Sequence, residues 1–169
     1  MRKQTIYILK CAFFVAVVGT LMHFLYDFTG HNFFAGLISP TSESTWEHMK
    51  LVFFPMAVGN IWLYRKLKYI DVSNPEGALL TGTLSGTWLI PILFYSYKGI
   101  LGFGITAIDI ATFYISVILA YLFIWHTFSA KWKKSCINTL FILCIIQLLA
   151  FIYFSYHPGN IGIFVPPAK

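Results

Sequence analysis

Charged residues are scarce in this sequence. They make up 11% of 169 positions, and only six are acids. A soluble domain of ordinary composition is about a quarter charged. So few charges cannot cover a folded surface in water. With 58% hydrophobic residues, the excess apolar surface points to lipid as the solvent. The chain also lacks any Cys-x-x-Cys pair. Cys11, Cys136 and Cys144 fall inside or at the edge of apolar runs, where cysteine behaves as a small buried hydrophobe. Neither a structural disulfide nor a cysteine metal site is expected. Internal repeats, low-complexity tracts and a soluble domain are absent too. The net charge of +6 does not indicate nucleic acid as a partner. The cations form three short clusters between apolar runs, which is the pattern of cytoplasmic loop anchors.

What is present is a set of long apolar runs. A spanning helix needs roughly 20 mostly apolar residues, and five segments qualify, at about 5–28, 46–64, 77–97, 103–128 and 137–156. Apolar residues cover all sides of these segments, which argues for lipid contact over a soluble bundle. The first run follows a basic start, but it is long and no small-x-small cleavage site follows. It is therefore expected to remain as a helix and not to be a signal peptide. Aromatic residues reach 19%; Phe suits lipid, and Tyr and Trp suit the boundary.

Orientation follows from Lys and Arg. Arg2, Lys3, Lys10, Arg65, Lys66, Lys68, Lys131, Lys133 and Lys134 all fall on one side if five spans start from a cytoplasmic N-terminus. Only Lys50, Lys98 and Lys169 fall on the other. The positive-inside bias selects that orientation. The expected fold is thus all-α: one transmembrane domain, 1–169, of five helices in the cell membrane, with the C-terminus extracytoplasmic. The 29–45 loop is apolar for an exposed loop, so it is expected at the interface or dipping into the membrane. The apolar tail from Gly159 is expected to fold onto the outer surface.

The ionisable groups are distributed unevenly on this topology. Asp27, Glu43, Glu47 and Asp109 map to the outer side, as do His23, His31, His48 and His157. His23 and Asp27 are four apart and share a helix face. Ser44-x-x-Glu47 fits a capping box, in which the hydroxyl binds an orphan amide and the carboxylate reaches back. Capping does not account for Glu43, Glu47 and His48 together. Carboxylates at i and i+4 repel unless a cation, a shared proton or Lys50 lies between them. Trp46 suits an aromatic belt. Asp109 lies within an apolar run, where a carboxylate is expensive and marks a functional site by default. Its expected partners are His23, His48, His157 or Lys98. Gly82-x-x-x-Gly86 permits close helix approach, and Asn138 and Gln147 read as packing groups.

Several chemistries fit this collection. His23, Asp27, His48, Asp109 and His157 are ligand types for a divalent metal such as zinc, whose catalytic sites leave a position for water. Glu43 or Glu47 would serve as general base, with Ser44 the third candidate catalytic group. The substrate of such a site would be lipidic, arriving from the outer leaflet. There is no His-Glu-x-x-His. A second class is a proton- or cation-coupled transporter or transporter subunit. A third is a non-catalytic membrane docking partner.

The stretch His23-Phe-Leu-Tyr-Asp27, followed by Ser42-Glu43-Ser44-Thr45-Trp46-Glu47-His48-Met49-Lys50, resembles an uncharacterised family of small bacterial multi-spanning membrane proteins. That family carries Asn-Glu-Ser-x-Trp-Glu-His-x-Lys before an apolar helix; Ser42 stands here where Asn is usual. The ending from Tyr156 to Pro167 is similar to the family's Pro-rich ending in degenerate form. The resemblance covers most of the chain and implies a bacterial membrane protein, without an activity. Ser44-x-x-x-His48 also resembles one motif of intramembrane metal hydrolases related to alkaline ceramidase. This chain has two spans fewer than their fold and no His-x-x-x-His near its end.

Overall fold

The structure is a computed structural model that describes residues 3–72 and 74–166. Arg2, Pro167 and Lys169, used in the charge and tail readings above, lie outside the described residues. Within the described residues seven α-helices run in chain order: α1 Lys3–Met22, α2 Leu25–Phe28, α3 Phe33–Ile38, α4 Thr45–Tyr69, α5 Glu76–Leu101, α6 Thr106–Thr127 and α7 Lys134–Phe154. A 3₁₀ turn, Gly162–Phe164, follows. Among the described residues there is no strand.

Among the described residues four helices, not five, are long and apolar enough to cross a membrane: α1, α5, α6 and α7. The exception is α4. At 25 residues it is amply long, but it carries Glu47, His48, Lys50, Asn60 and the Arg65–Lys68 cations. The reason is position. Helix α4 packs against α1, α5 and α6, and its Trp46 and Phe53 rings meet Phe151 of α7. On the side that faces protein a helix has little lipid to satisfy, so polar side chains are tolerated there when neighbours bond them, while Val58, Ile61 and Trp62 remain exposed. Helix α7 is the opposite case. Phe141, Ile142, Ile146 and Leu149 are exposed, while Gln147 and Phe151 are buried.

The boundaries also shift. The first span was expected to reach Phe28, but α1 stops at Met22. Phe24 N bonds Leu21 O in place of an i−4 carbonyl, and the chain restarts as the short α2. Helix α4 runs five residues past the expected end, because Arg65, Lys66 and Lys68 are good helix formers and cations suit a helix C-terminus. Helix α5 ends where Gly102 adopts φ +78°, a left-handed cap that glycine takes without steric cost. The 29–45 loop holds α3, which packs on α7. The Tyr156 hydroxyl donates to Phe33 O at 2.9 Å. The tail does fold back, and Phe164 packs on Trp46 and Phe154. Trp46 is therefore buried in an aromatic cluster, not in a boundary belt.

Buried small residues set the helix spacing. Ile8, Cys11, Val15 and Gly19 form the inward stripe of α1. Pro55 lacks an N–H, so Leu51 O in α4 has no ladder partner. That carbonyl faces Gly19, where an added Cβ would lie 2.5 Å from it. Gly82 and Gly86 of α5 meet Ile124 and Ala120 of α6 just as closely, as the Gly-x-x-x-Gly spacing predicts. Gly19→Ala puts a methyl against backbone, which cannot rotate away. It is expected to cost about 1–3 kcal/mol and to lower the Tm in detergent by several degrees; an unchanged Tm would contradict this packing.

Midway along the bundle, one buried network joins four helices. Asn60 of α4 donates to Leu79 O and Thr83 Oγ1 of α5, and accepts from the Tyr121 hydroxyl of α6 at 3.2 Å. That hydroxyl also lies 3.2 Å from Cys11 Sγ of α1. Interhelical hydrogen bonds of this kind contribute about 0.6 kcal/mol each on average. Their larger effect is to fix the register of α4 among its neighbours.

Candidate functional site

The site forms where the N-terminus of α4 meets the C-terminal end of α1. Ser44 is the N-cap of α4: its backbone is extended and its Oγ accepts from Glu47 N at 3.3 Å. This is half of the expected capping box. The other half is redirected, because the Glu47 carboxylate reaches past Ser44 to Thr41 N, 2.8 Å, and Thr41 Oγ1, 3.1 Å. The same Glu47 Oε2 pairs with Lys50 Nζ at 2.7 Å, both side chains almost fully buried. Lys50 also donates to Gly36 O at 2.9 Å, to Ser39 O at 3.3 Å and to Ser155 Oγ. One ammonium thus closes the last turn of α3, the start of α4 and the end of α7. The Pro40–Ser44 loop is held in place from beneath.

That loop presents Glu43. His48, one turn into α4, presents its imidazole beside it. His48 Nδ1 lies 2.9 Å from Ser44 O. A carbonyl only accepts, so Nδ1 carries the proton and neutral His48 keeps a bare Nε2. His23, just beyond α1, brings its Nε2 to 3.2 Å from His48 Nε2. Glu43 Oε2 lies 3.5 Å from His48 Nε2 and 4.0 Å from His23 Nε2. The three ligand atoms all fall within 4.8 Å of one another. Burial, then the neighbouring His48, pushes the His23 pKa below the ordinary imidazole value of 6.5, against the pull of Glu43 and Asp27. His23 is therefore neutral at pH 7, and with His48 Nε2 bare its own Nε2 donates to it; a metal between the two nitrogens would take the place of that proton.

The geometry suits a small divalent ion. Ligands about 2.0–2.1 Å from a tetrahedral zinc sit roughly 3.3 Å apart, close to the two nitrogens here. The bond from His48 Nδ1 to a carbonyl is the usual outer-shell arrangement of a ligating histidine. Two His and one carboxylate leave a fourth position, and Glu43 is exposed, so the site opens to its surroundings.

The other expected residues lie at the same end of the bundle but have different partners. Asp27 falls on α2 and pairs with His31 at 3.1 Å, both exposed. Asp109 accepts from the Tyr97 hydroxyl, and none of its expected partners takes that place; Lys98 sits over the Phe94 ring at 4.0 Å. His157 stacks on Tyr153, with Nδ1 3.3 Å from Tyr153 O. Glu47 and Ser44 support the loop and the helix start. Sequence reasoning missed Thr41 and Ser155 as partners of the Glu47–Lys50 pair. It also missed Tyr97, although Tyr97 and Asp109 flank one short turn. Asn138 is exposed, and Gln147 is buried with its Nε2 unpartnered among the described residues.

No curated protein and no solved structure matches this chain. One family model, described as a family of unknown function (DUF6512), matches residues 1–168. With its whole described length inside that match, the chain belongs to the DUF6512 family of unknown function.

Proposed function

We propose that this is a membrane protein carrying a divalent metal on His23, Glu43 and His48, and that the site hydrolyses a lipidic substrate. The observation that carries the reading is the pair of imidazole Nε2 atoms 3.2 Å apart with a carboxylate oxygen beside them, His48 being held in the ligand tautomer by Ser44 O. Zinc fits this donor set, and its chemistry would be to acidify a bound water. Hydrolysis of an ester or amide there would place the water's oxygen on the released acid. The leaving alcohol or amine takes the proton. Glu47 is committed to Lys50 and Thr41 and Asp27 to His31, so the exposed Glu43, beside both imidazoles, is the carboxylate left to the cluster.

In this reading α4 crosses beside the four apolar helices, packed against α1, α5 and α6. The cations Lys3, Arg65, Lys66, Lys68, Lys131, Lys133 and Lys134 lie at or next to helix ends opposite the site, and Lys10 lies two turns into α1. By the positive-inside rule that end is cytoplasmic, so the site faces outward in the cell membrane. Proton or cation coupling is the second reading, favoured by the buried Asn60–Tyr121–Cys11 network. That network contains no carboxylate, histidine or lysine, so it offers no charged step on an inward path.

The test is release of fatty acid from vesicles of mixed ester and amide lipids by reconstituted protein. Activity that a chelator removes, that zinc restores and that His48→Ala lacks is expected. Release unaffected by both chelator and His48→Ala would overturn the reading.

A further inference from the structure

A cavity of about 250 Å³ lies beside the metal-type cluster, on the other side of the α4 N-terminus. Its polar lining includes Thr41, Ser42, Ser44 and Glu47, and its apolar lining includes Phe154 and Phe164. Glu47 is 3% exposed. Its Oε2 is taken by Lys50 and Thr41, but its Oε1 is buried with no partner among the described residues. A buried carboxylate oxygen without a donor is costly, and a ligand hydroxyl would satisfy it. Ser44 Oγ accepts from Glu47 N and from Ser42 Oγ, which leaves its own proton free to donate.

The charge balance narrows the ligand. Glu47 and Lys50 neutralise each other, and the ammonium is fully used by Glu47, Gly36, Ser39 and Ser155. The cavity therefore offers one carboxylate oxygen and hydroxyls, with no free cation among its lining residues. A phosphate would find no cation to pair with and, at Glu47 Oε1, a second acceptor; a neutral polyol can donate to that oxygen. The volume is below the roughly 300–1,000 Å³ of sites for whole drug-sized ligands, so it suits a headgroup. The Phe154 and Phe164 walls suit the start of an acyl chain.

We propose that this cavity binds the glycerol head of a neutral acylglycerol. Ser44 joins it to the metal-type cluster, since Ser44 O holds His48 while the Ser44 side chain lines the cavity. Its role as the substrate's headgroup subsite rests on the metal reading above; the lipid binding does not.

The experiment is native mass spectrometry of the full chain in detergent, titrated with 1-monooleoylglycerol and, separately, with oleoyl lysophosphatidate. Wild type is expected to hold one monooleoylglycerol and to bind the phosphate lipid at least tenfold more weakly. Ser42→Trp, at an exposed position on the rim, and Phe164→Ala, at an apolar wall, should each weaken monooleoylglycerol at least tenfold. Free glycerol at the same concentration should not compete. His23→Ala and His48→Ala should leave lipid binding unchanged. Equal binding of the two lipids, or unchanged binding in both cavity variants, would overturn the proposal. A protein that binds the lipid but holds no metal would overturn the metal reading alone.

Discussion

Lys50→Met is expected to be the most destabilising single substitution at this end of the bundle. It removes an ammonium that is fully buried and bonded to Glu47, Gly36, Ser39 and Ser155. The Glu47 carboxylate then stays buried without its counter-charge. Breaking one partner of a buried pair typically costs about 3–5 kcal/mol. The loss should show as a large drop in detergent Tm and as faster proteolysis in the 29–44 loop, whose carbonyls the ammonium holds. Removing both charges has a different consequence. A buried pair replaced by apolar residues of similar size is often close to neutral. Glu47→Leu combined with Lys50→Met should therefore be more stable than Lys50→Met alone, although Thr41 loses its acceptor. A neutral single variant would mean that the pair is not the clamp described here.

His48→Ala is expected to abolish metal binding, with affinity falling by well over the roughly 10–100-fold that outer-shell partners produce. His48 supplies a bare Nε2 fixed by Ser44 O, and no neighbouring side chain can replace it. His23→Ala should behave in the same way. Asp109→Asn and His157→Ala should leave metal affinity unchanged, because Tyr97 and Tyr153 occupy those residues. Isothermal titration with zinc on detergent-purified protein separates the two groups. Equal losses in all four variants would point to a different ligand set.

Four of the five expected spans were legible as long apolar helices, because apolar runs of this length have few alternatives in a chain with so little charge. Helix α4 was legible as a helix but not as the central one, since enclosure by protein is a property of the bundle. Its Lys50 and Asn60 were the signal: polar groups in a long run imply protein neighbours in place of lipid. The Ser44-to-His48 relation followed from spacing alone, because residues four apart on a helix meet. Glu43 and Glu47 were expected to repel unless a cation, a shared proton or Lys50 intervened, and Lys50 pairs with Glu47. The N-cap lies between them, so Glu43 faces the histidines and Glu47 turns to Lys50. Asp27 was placed with His23 on one face, but the break after Met22 puts Asp27 on α2 with His31. Contacts such as Tyr121 with Asn60, 61 residues apart, carry no local signal at all.

The central claim is that helices α1 and α4 and the loop between them build one metal site. Metal content by mass spectrometry tests it most directly, on wild type purified without chelators beside His23→Ala and His48→Ala. One divalent ion per chain in the wild type, lost in both variants, is the predicted result. A well-folded wild type that holds no metal, even after loading with zinc, would contradict it.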